Sequence, residues 1–335
     1  MKKVLIIKLG GLGDVVRTLP LAKAIKESYD AEIIWVTRNN AVDLLKNHPS
    51  INIVYSLENC GEIMDKNFDV LYNFDGEDEA TMLAAKIKAG KKYGFYSDGG
   101  FVSAFNLGAE YYLNTLFDDE IKKTNKKTYQ EMMFMSAELQ YRRQHSSLFP
   151  SNKDRKYAED FVKKNKITTE KLIGIHMGAD SRWPSKVWHE NNLKEFIKLA
   201  EKENYQIILF AGPNETEEQK ILKKELDESN IKVYANNPGN SFMEFVSLVK
   251  LCKAMICSDS FALHVSLAMK KPTIGLFFCT SPNEIEDYGL LKKIASPLLY
   301  NFFPEKMNVY NEKLVKSISP CEVLDALMKL ENKNK

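Results

Sequence analysis

The chain has 335 residues, 44% of them hydrophobic and 27% charged. That is the make-up of an ordinary globular protein, and the length exceeds what one hydrophobic core usually fills. A formal net charge of +2 gives no global attraction to nucleic acid, so any basic function must be local.

Five scattered cysteines, Cys60, Cys252, Cys257, Cys279 and Cys321, include no C-x-x-C pair and are expected to be reduced, mostly buried thiols. No run approaches the roughly 18 apolar residues of a membrane span. Met1-Lys2-Lys3 and the apolar residues after it superficially resemble a secretory leader. Lys8 breaks that run and no small-residue cleavage site follows, so a strand is expected there and the cytosol is the expected location.

In chain order, Val4 to Ile7 is an apolar, β-branched run that predicts a buried strand. Gly10, Gly11 and Gly13 follow as a turn, and Asp14 opens an amphipathic stretch to about Tyr29. A strand is expected over 32–37, a short helix over 41–47, and strands over 51–57 and 68–74. An acidic turn (75–79), a helix over 80–89 and an aromatic strand ending at Tyr96 come next. Residues 97–127 break the rhythm, and a helix over 129–141 closes the first half. The polar stretch 142–154, with Pro150, is expected as a linker.

A helix over 155–165 leads into the second half. There, strands over 172–178, 206–212, 231–235, 254–259 and 272–278 alternate with helices over 191–204, 215–230, 241–252 and 260–269, before a terminal helix over 321–331. Ser241 and Glu244 have capping-box spacing. The pattern predicts an α/β fold of two Rossmann-like doubly wound domains, 1–150 and 151–335, facing a central cleft.

The glycine turn has competing readings. A dinucleotide fingerprint needs a third glycine where this chain has Val16, and an aspartate beside the turn is awkward for a pyrophosphate. Asp14 is then either a helix cap or a functional carboxylate at the end of a first strand, where open sheets bind ligands.

The second half carries three polar clusters. His176 to Trp188 holds Arg182 and Lys186 in a loop with Pro184, two cations suited to a phosphate or to a solvated loop. Ser258, Asp259 and Ser260 join an apolar strand to an apolar helix that contains His264; the first-turn N–H groups there form an anion site, or the helix is simply capped. Glu217 and Glu218 suit ribose hydroxyls, or favour a helix start for dipole reasons. The acidic residues Asp75, Glu77, Asp78 and Glu79 are expected as a solvated loop rather than a divalent-cation site.

Taken together, four segments in register resemble glycosyltransferase family 9, the ADP-heptose:lipopolysaccharide heptosyltransferases. They are GLGDVVRTLPLAKAIK (11–26), FDVLYNFDG (68–76), HMGADSRWPSKVW (176–188) and SDSFALHVSLAMKKPTIGLFFCTSP (258–282). The resemblance implies a GT-B fold whose amino-terminal domain binds the acceptor and whose carboxy-terminal domain binds the ADP-sugar. It assigns Asp14 as general base, with Gly11, Gly13 and Arg17 in the acceptor-side glycine loop. Lys186, Arg182 and His176 are assigned to the donor, with Ser258, Asp259, Ser260, Phe261 and His264 on its diphosphate and Glu217 on its ribose.

Three departures from the family's pattern stand out. Phe261 replaces a glycine, Asn73 and Asp75 replace the polar pair of the "IDLQG" strand, and His189 replaces a proline.

The resemblance implies inverting transfer of a heptose or related sugar from ADP-L-glycero-D-manno-heptose or a similar donor, with no metal and no cofactor. The acceptor is a hydroxyl of a lipopolysaccharide core or another glycan. Basic clusters at Lys86–Lys92 and Lys122–Lys127 meet either solvent or an anionic glycolipid, in which case the protein is peripheral to the inner membrane face. The alternatives are an NAD-type oxidoreductase and a non-catalytic two-lobed ligand-binding protein.

Overall fold

Each half of the chain builds its sheet from short apolar runs buried on both faces, as parallel strands covered by helices require. The protein is described here by a computed structural model covering residues 1–179 and 182–332. One compact unit comprises Met1–Phe149 with Asn283–Glu286, and the other Pro150–Pro282 with Asp287–Lys335.

The first unit has six strands: β1 (Lys2–Ile7), β2 (Ala31–Thr37), β3 (Ile53–Ser56), β4 (Asn67–Asn73), β5 (Lys88–Asp98) and β6 (Phe101–Ala104). Their order is β3-β2-β1-β4-β5-β6, parallel except for the β5–β6 hairpin. The second unit has β7 (Leu172–His176), β8 (Gln206–Phe210), β9 (Tyr234–Ala235), β10 (Ala254–Ser258), β11 (Thr273–Phe277) and β12 (Leu291–Ala295). All pair in parallel, in the order β12-β11-β10-β7-β8-β9.

Counted from its own first strand, each sheet has the same 3-2-1-4-5-6 order. In such sheets the order reverses at one crevice, outside the carboxyl ends of the first and fourth strands, and ligands bind there. The crevice lies between β1 and β4 in the first unit and between β7 and β10 in the second. This is the expected fold class, two Rossmann-like α/β units.

Several local expectations are corrected. The first helix runs Leu12–Tyr29 with Gly11 as its N-cap and no side-chain cap bond. Gly13 therefore lies inside the helix, and Asp14 is a first-turn residue, not a cap. The helix expected over 80–89 runs Asp78–Lys86 and gives way to the long β5. Lys92 of β5 donates to the carbonyls of Ala84 and Ala85 at that helix's carboxyl end.

The stretch 97–127 contains β6 and the helices Leu107–Phe117 and Asp119–Thr124. The helix expected over 129–141 stops at Ser136. Within the expected linker, Ser151 and Asp154 form a capping box that opens the Asn152–Asn165 helix. The expected box of Ser241 and Glu244 is present. All five cysteines are free and only Cys321 is exposed.

Candidate functional site

In the first unit the crevice is organised by Asp75, which follows β4. One of its oxygens, Oδ2, accepts the backbone N–H groups of Leu9 (2.9 Å) and Gly10 (2.6 Å) and lies 3.2 Å from Lys8 Nζ. Both side chains of this ion pair are about 95% buried. Burial pushes the Asp75 carboxyl up, but Lys8 and the Gly10 N–H outweigh it and hold it below the usual carboxylate range. Burial pulls Lys8 down more strongly than any one neighbour raises it, but Asp75 and the groups around it, Asp14 among them, together outweigh burial and leave Lys8 firmly charged.

A side chain at Gly10 would press on the ion pair, which would have to give by a few tenths of an ångström. A Cβ there would lie 3.0 Å from Asp75 Oδ2 and 3.2 Å from Lys8 Nζ. The acidic loop is therefore not uniformly solvated as expected, because Asp75 is its buried anchor. Asn73, also buried, donates to the carbonyls of Asp75 and Phe95 and accepts from the Asp75 N–H.

The turn so pinned presents Asp14 one helical turn in. Asp14 Oδ1 receives Arg17 through Nε (3.0 Å) and Nη2 (2.8 Å). The Arg17 guanidinium stacks 3.7 Å over the Tyr129 ring. Tyr129 Oη in turn lies 3.2 Å from Thr18 Oγ1. Burial keeps the Tyr129 and Tyr112 hydroxyls protonated, so neither adds negative charge.

In the second unit, Lys186 ends a short turn, Pro184–Lys186. Its ammonium sits 4.3 Å over the Trp183 ring and 3.3 Å from Asp259 Oδ2, both side chains being largely buried. His264 Nε2 lies 3.9 Å from the other Asp259 oxygen. Ser258 closes β10, and Ser260 is the N-cap of the Phe261–Ala268 helix without forming a cap bond. The Ser260 and Thr280 hydroxyls, after adjacent strands β10 and β11, are buried with no protein partner. The Lys186 ammonium, paired with Asp259, the first-turn amides of the helix and two unsatisfied hydroxyls gather groups suited to an anion at one helix end.

Not every expected donor residue joins this group. Glu217 is exposed and pairs with Lys220 at 2.7 Å. Glu215 instead turns inward: it accepts the Gly212 N–H at 2.9 Å and packs so closely on Gly178 that a Cβ there would fall 2.4 Å from its carboxyl carbon. Arg182 is exposed, 5.6 Å from the Trp183 ring centroid. Phe261 packs against Phe242 and Phe245. His189 caps the Glu190–Lys202 helix, and its backbone N–H donates to Val315 at 3.2 Å, a bond proline could not make. Lys8, Asp75, Tyr129, Glu215 and Thr280 were not singled out from the sequence as site residues.

His176 ends β7 with its ring edge-on to Phe245. Burial lowers its pKa to about 4, and His48 in the first unit is lowered to about 4 by the same cause. Between about pH 6.5 and 4 the unfolded chain therefore binds protons that the folded chain refuses. Stability is expected to fall as pH drops through that window, by on the order of 2–3 kcal/mol per histidine. Urea midpoints at pH 7, 6, 5 and 4.5 check this; a double His48→Gln/His176→Gln variant should flatten the curve, and an unchanged slope would refute the assignment.

Comparison with solved structures gives the class. The glycosyltransferase family 9 protein of Veillonella parvula aligns over 99% of this chain and 97% of its own, with TM-score 0.78 and 17% identity. Escherichia coli ADP-heptose lps heptosyltransferase II aligns over 99% of both chains, with TM-score 0.72 and 19% identity. The fold is that of the GT-B glycosyltransferases.

The sequence profile of glycosyltransferase family 9 (heptosyltransferase) matches residues 60–311, and the chain belongs to that family. Lipopolysaccharide heptosyltransferase 1 of Campylobacter coli is 24% identical, covering 88% of this chain and 91% of its own length. Lipopolysaccharide heptosyltransferase 2 of Salmonella typhimurium is 23% identical over 84% of each. The protein is a glycosyltransferase, which sets aside the oxidoreductase and non-catalytic alternatives.

Proposed function

We propose that this enzyme transfers a heptose or related sugar, with inversion and without a metal ion, from ADP-L-glycero-D-manno-heptose or a similar nucleotide sugar. The acceptor is a hydroxyl of a lipopolysaccharide core or a related glycan. The observation that carries the reading is the buried Lys186–Asp259 pair at the amino end of the Phe261–Ala268 helix. Charge builds on the departing diphosphate as the glycosidic bond breaks. Preorganised positive charge at that point lowers the barrier, and here it comes from Lys186 and the helix amides.

Asp14 takes the proton from the acceptor hydroxyl as that oxygen attacks the anomeric carbon. Arg17 holds the carboxylate in one orientation, and the buried Asp75–Lys8 pair fixes the turn before it. Glu215, against Gly178, is a better-placed ribose acceptor than Glu217. We place the enzyme in the cytoplasm, peripheral to the inner membrane face where its acceptor is a glycolipid. No described helix is long and apolar enough to cross a membrane.

A thermal-shift panel of nucleotide sugars tests the donor. The ADP-linked heptose at a hundred times its dissociation constant should stabilise the protein by about 2.7 kcal/mol. Lys186→Gln should weaken that binding roughly 10- to 100-fold, the value of a charge-assisted hydrogen bond. Stabilisation by uridine- or guanosine-linked sugars instead would overturn the donor assignment.

A further inference from the structure

Tyr129 opens the Tyr129–Ser136 helix, is completely buried, and reaches Asp14 by two separate routes. Its ring face lies under the Arg17 guanidinium at 3.7 Å, and that guanidinium places Nε and Nη2 on Asp14 Oδ1. Its hydroxyl lies 3.2 Å from Thr18 Oγ1, and Thr18 Oγ1 donates to the Asp14 backbone carbonyl at 2.7 Å. A threonine hydroxyl has one proton to give, so Tyr129 must be the donor in the bond between the two hydroxyls. Burial keeps the Tyr129 proton in place for that bond.

The ring is itself held. Tyr112, from the Leu107–Phe117 helix, meets it edge-on at 5.7 Å, and Lys8 Nζ lies 5.9 Å from its centroid. Around Arg17, burial opposes the charge, and Asp14, Tyr129, Tyr112 and Glu284 together outweigh it.

We infer that Tyr129 is a positioning residue for the transfer: its ring fixes Arg17 against one oxygen of Asp14, and its hydroxyl, through Thr18, fixes the peptide carbonyl of the same residue. An aspartate and an arginine three positions apart on a helix attract each other only weakly, and an arginine side chain has many rotamers to choose from. A buried aromatic face selects one of them, because it attracts the guanidinium most where water is excluded. The Arg17 side chain is only 14% exposed. A general base works only within hydrogen-bond reach of the proton it takes, and small misplacements cost rate steeply.

The inference rests on Asp14 acting as the base, so two quantities are measured in every variant. One is the pH–rate profile with ADP-heptose and deacylated lipopolysaccharide core. The other is the titration of the Asp14 carboxyl by carbon-13 NMR, assigned against Asp14→Asn. Tyr129→Leu should lower kcat about tenfold with both KM values within about twofold. The acidic limb and the carboxyl titration should move together to higher pH by about one unit, since a loosened counter-charge favours the carboxylate less. Arg17→Met should do the same, and Tyr129→Leu added to it should move neither much further. Tyr129→Phe keeps the ring face and should recover most of the shift. Should Tyr129→Leu fail to fold, pentafluorophenylalanine at position 129 keeps the ring's shape, reverses its quadrupole and is read in the same way.

A carboxyl titration that stays at the parent's midpoint overturns the inference. So does a shift that persists in full once Arg17 is gone, or one that Tyr129→Phe produces as strongly as Tyr129→Leu. A titration that moves while the rate limb stays put removes Asp14 as the base and leaves Tyr129 as the residue that orients it.

Discussion

Asp14→Asn is expected to fold, to bind the ADP-sugar as tightly as the parent enzyme, and to turn over about 10²–10⁴-fold more slowly. Asparagine keeps the volume of aspartate and a carbonyl oxygen that Arg17 can still meet at the Oδ1 position, so the crevice keeps its shape. It cannot take a proton. The carboxylate also sits in the first turn of the Leu12–Tyr29 helix, where its interaction with the helix dipole is worth about 0.3–1 kcal/mol, and Arg17 loses its counter-charge while keeping a hydrogen-bond acceptor, so some stability is lost along with the rate. Rate constants at saturating donor, with donor Kd from calorimetry, separate the two effects. The acidic limb of the pH–rate profile should disappear with the carboxylate. Turnover within a few-fold of the parent would remove Asp14 from the chemistry.

The strands could be read from the sequence because parallel strands buried on both faces appear as continuous apolar runs. Leu5, Ile6 and Ile7 or Ile207, Ile208 and Leu209 are nearly inaccessible in succession. What the sequence hid depends on contacts between distant residues. Lys8 stood out only as a break in an apolar run. Its meaning required Asp75, which becomes its neighbour through the β1–β4 pairing that sets Ile7 beside Asn73.

The Glu215 and Glu217 exchange is a matter of local geometry. A tight turn over Pro213–Glu215 precedes the helix, so the residue facing Gly178 comes two positions before the one expected. The β5–β6 hairpin had a usable signal in Gly99–Gly100, both at positive φ, the pattern favoured in two-residue turns. The aromatic, charged helices that follow it gave no clean period. The 283–286 segment could not have been assigned to the first unit from spacing, because it packs with residues more than a hundred positions earlier.

Asp75→Leu is expected to destabilise the protein by about 3–5 kcal/mol, the usual result of leaving one member of a buried ion pair alone. Lys8 would keep its burial and lose its counter-ion, and the Leu9 and Gly10 N–H groups would lose their acceptor. The double variant Lys8→Met/Asp75→Leu removes the stranded charge and should recover part of the loss. Recovery stops short of complete because two buried amides stay unpaired, at about 1–3 kcal/mol each.

Acid titration adds an independent check with a fixed sign. Asp75 is held below the usual carboxylate range in the folded state. Its contribution is therefore fully present above the unfolded carboxylate pKa and lost as pH falls through the lowered folded value. That acid-side step should be absent from the double variant. Denaturant midpoints for the parent, both single variants and the double close the cycle. If the double variant is as unstable as Asp75→Leu alone, the carboxylate serves the glycine turn and not the ammonium, and Lys8 then has no part in fixing the loop that carries Asp14.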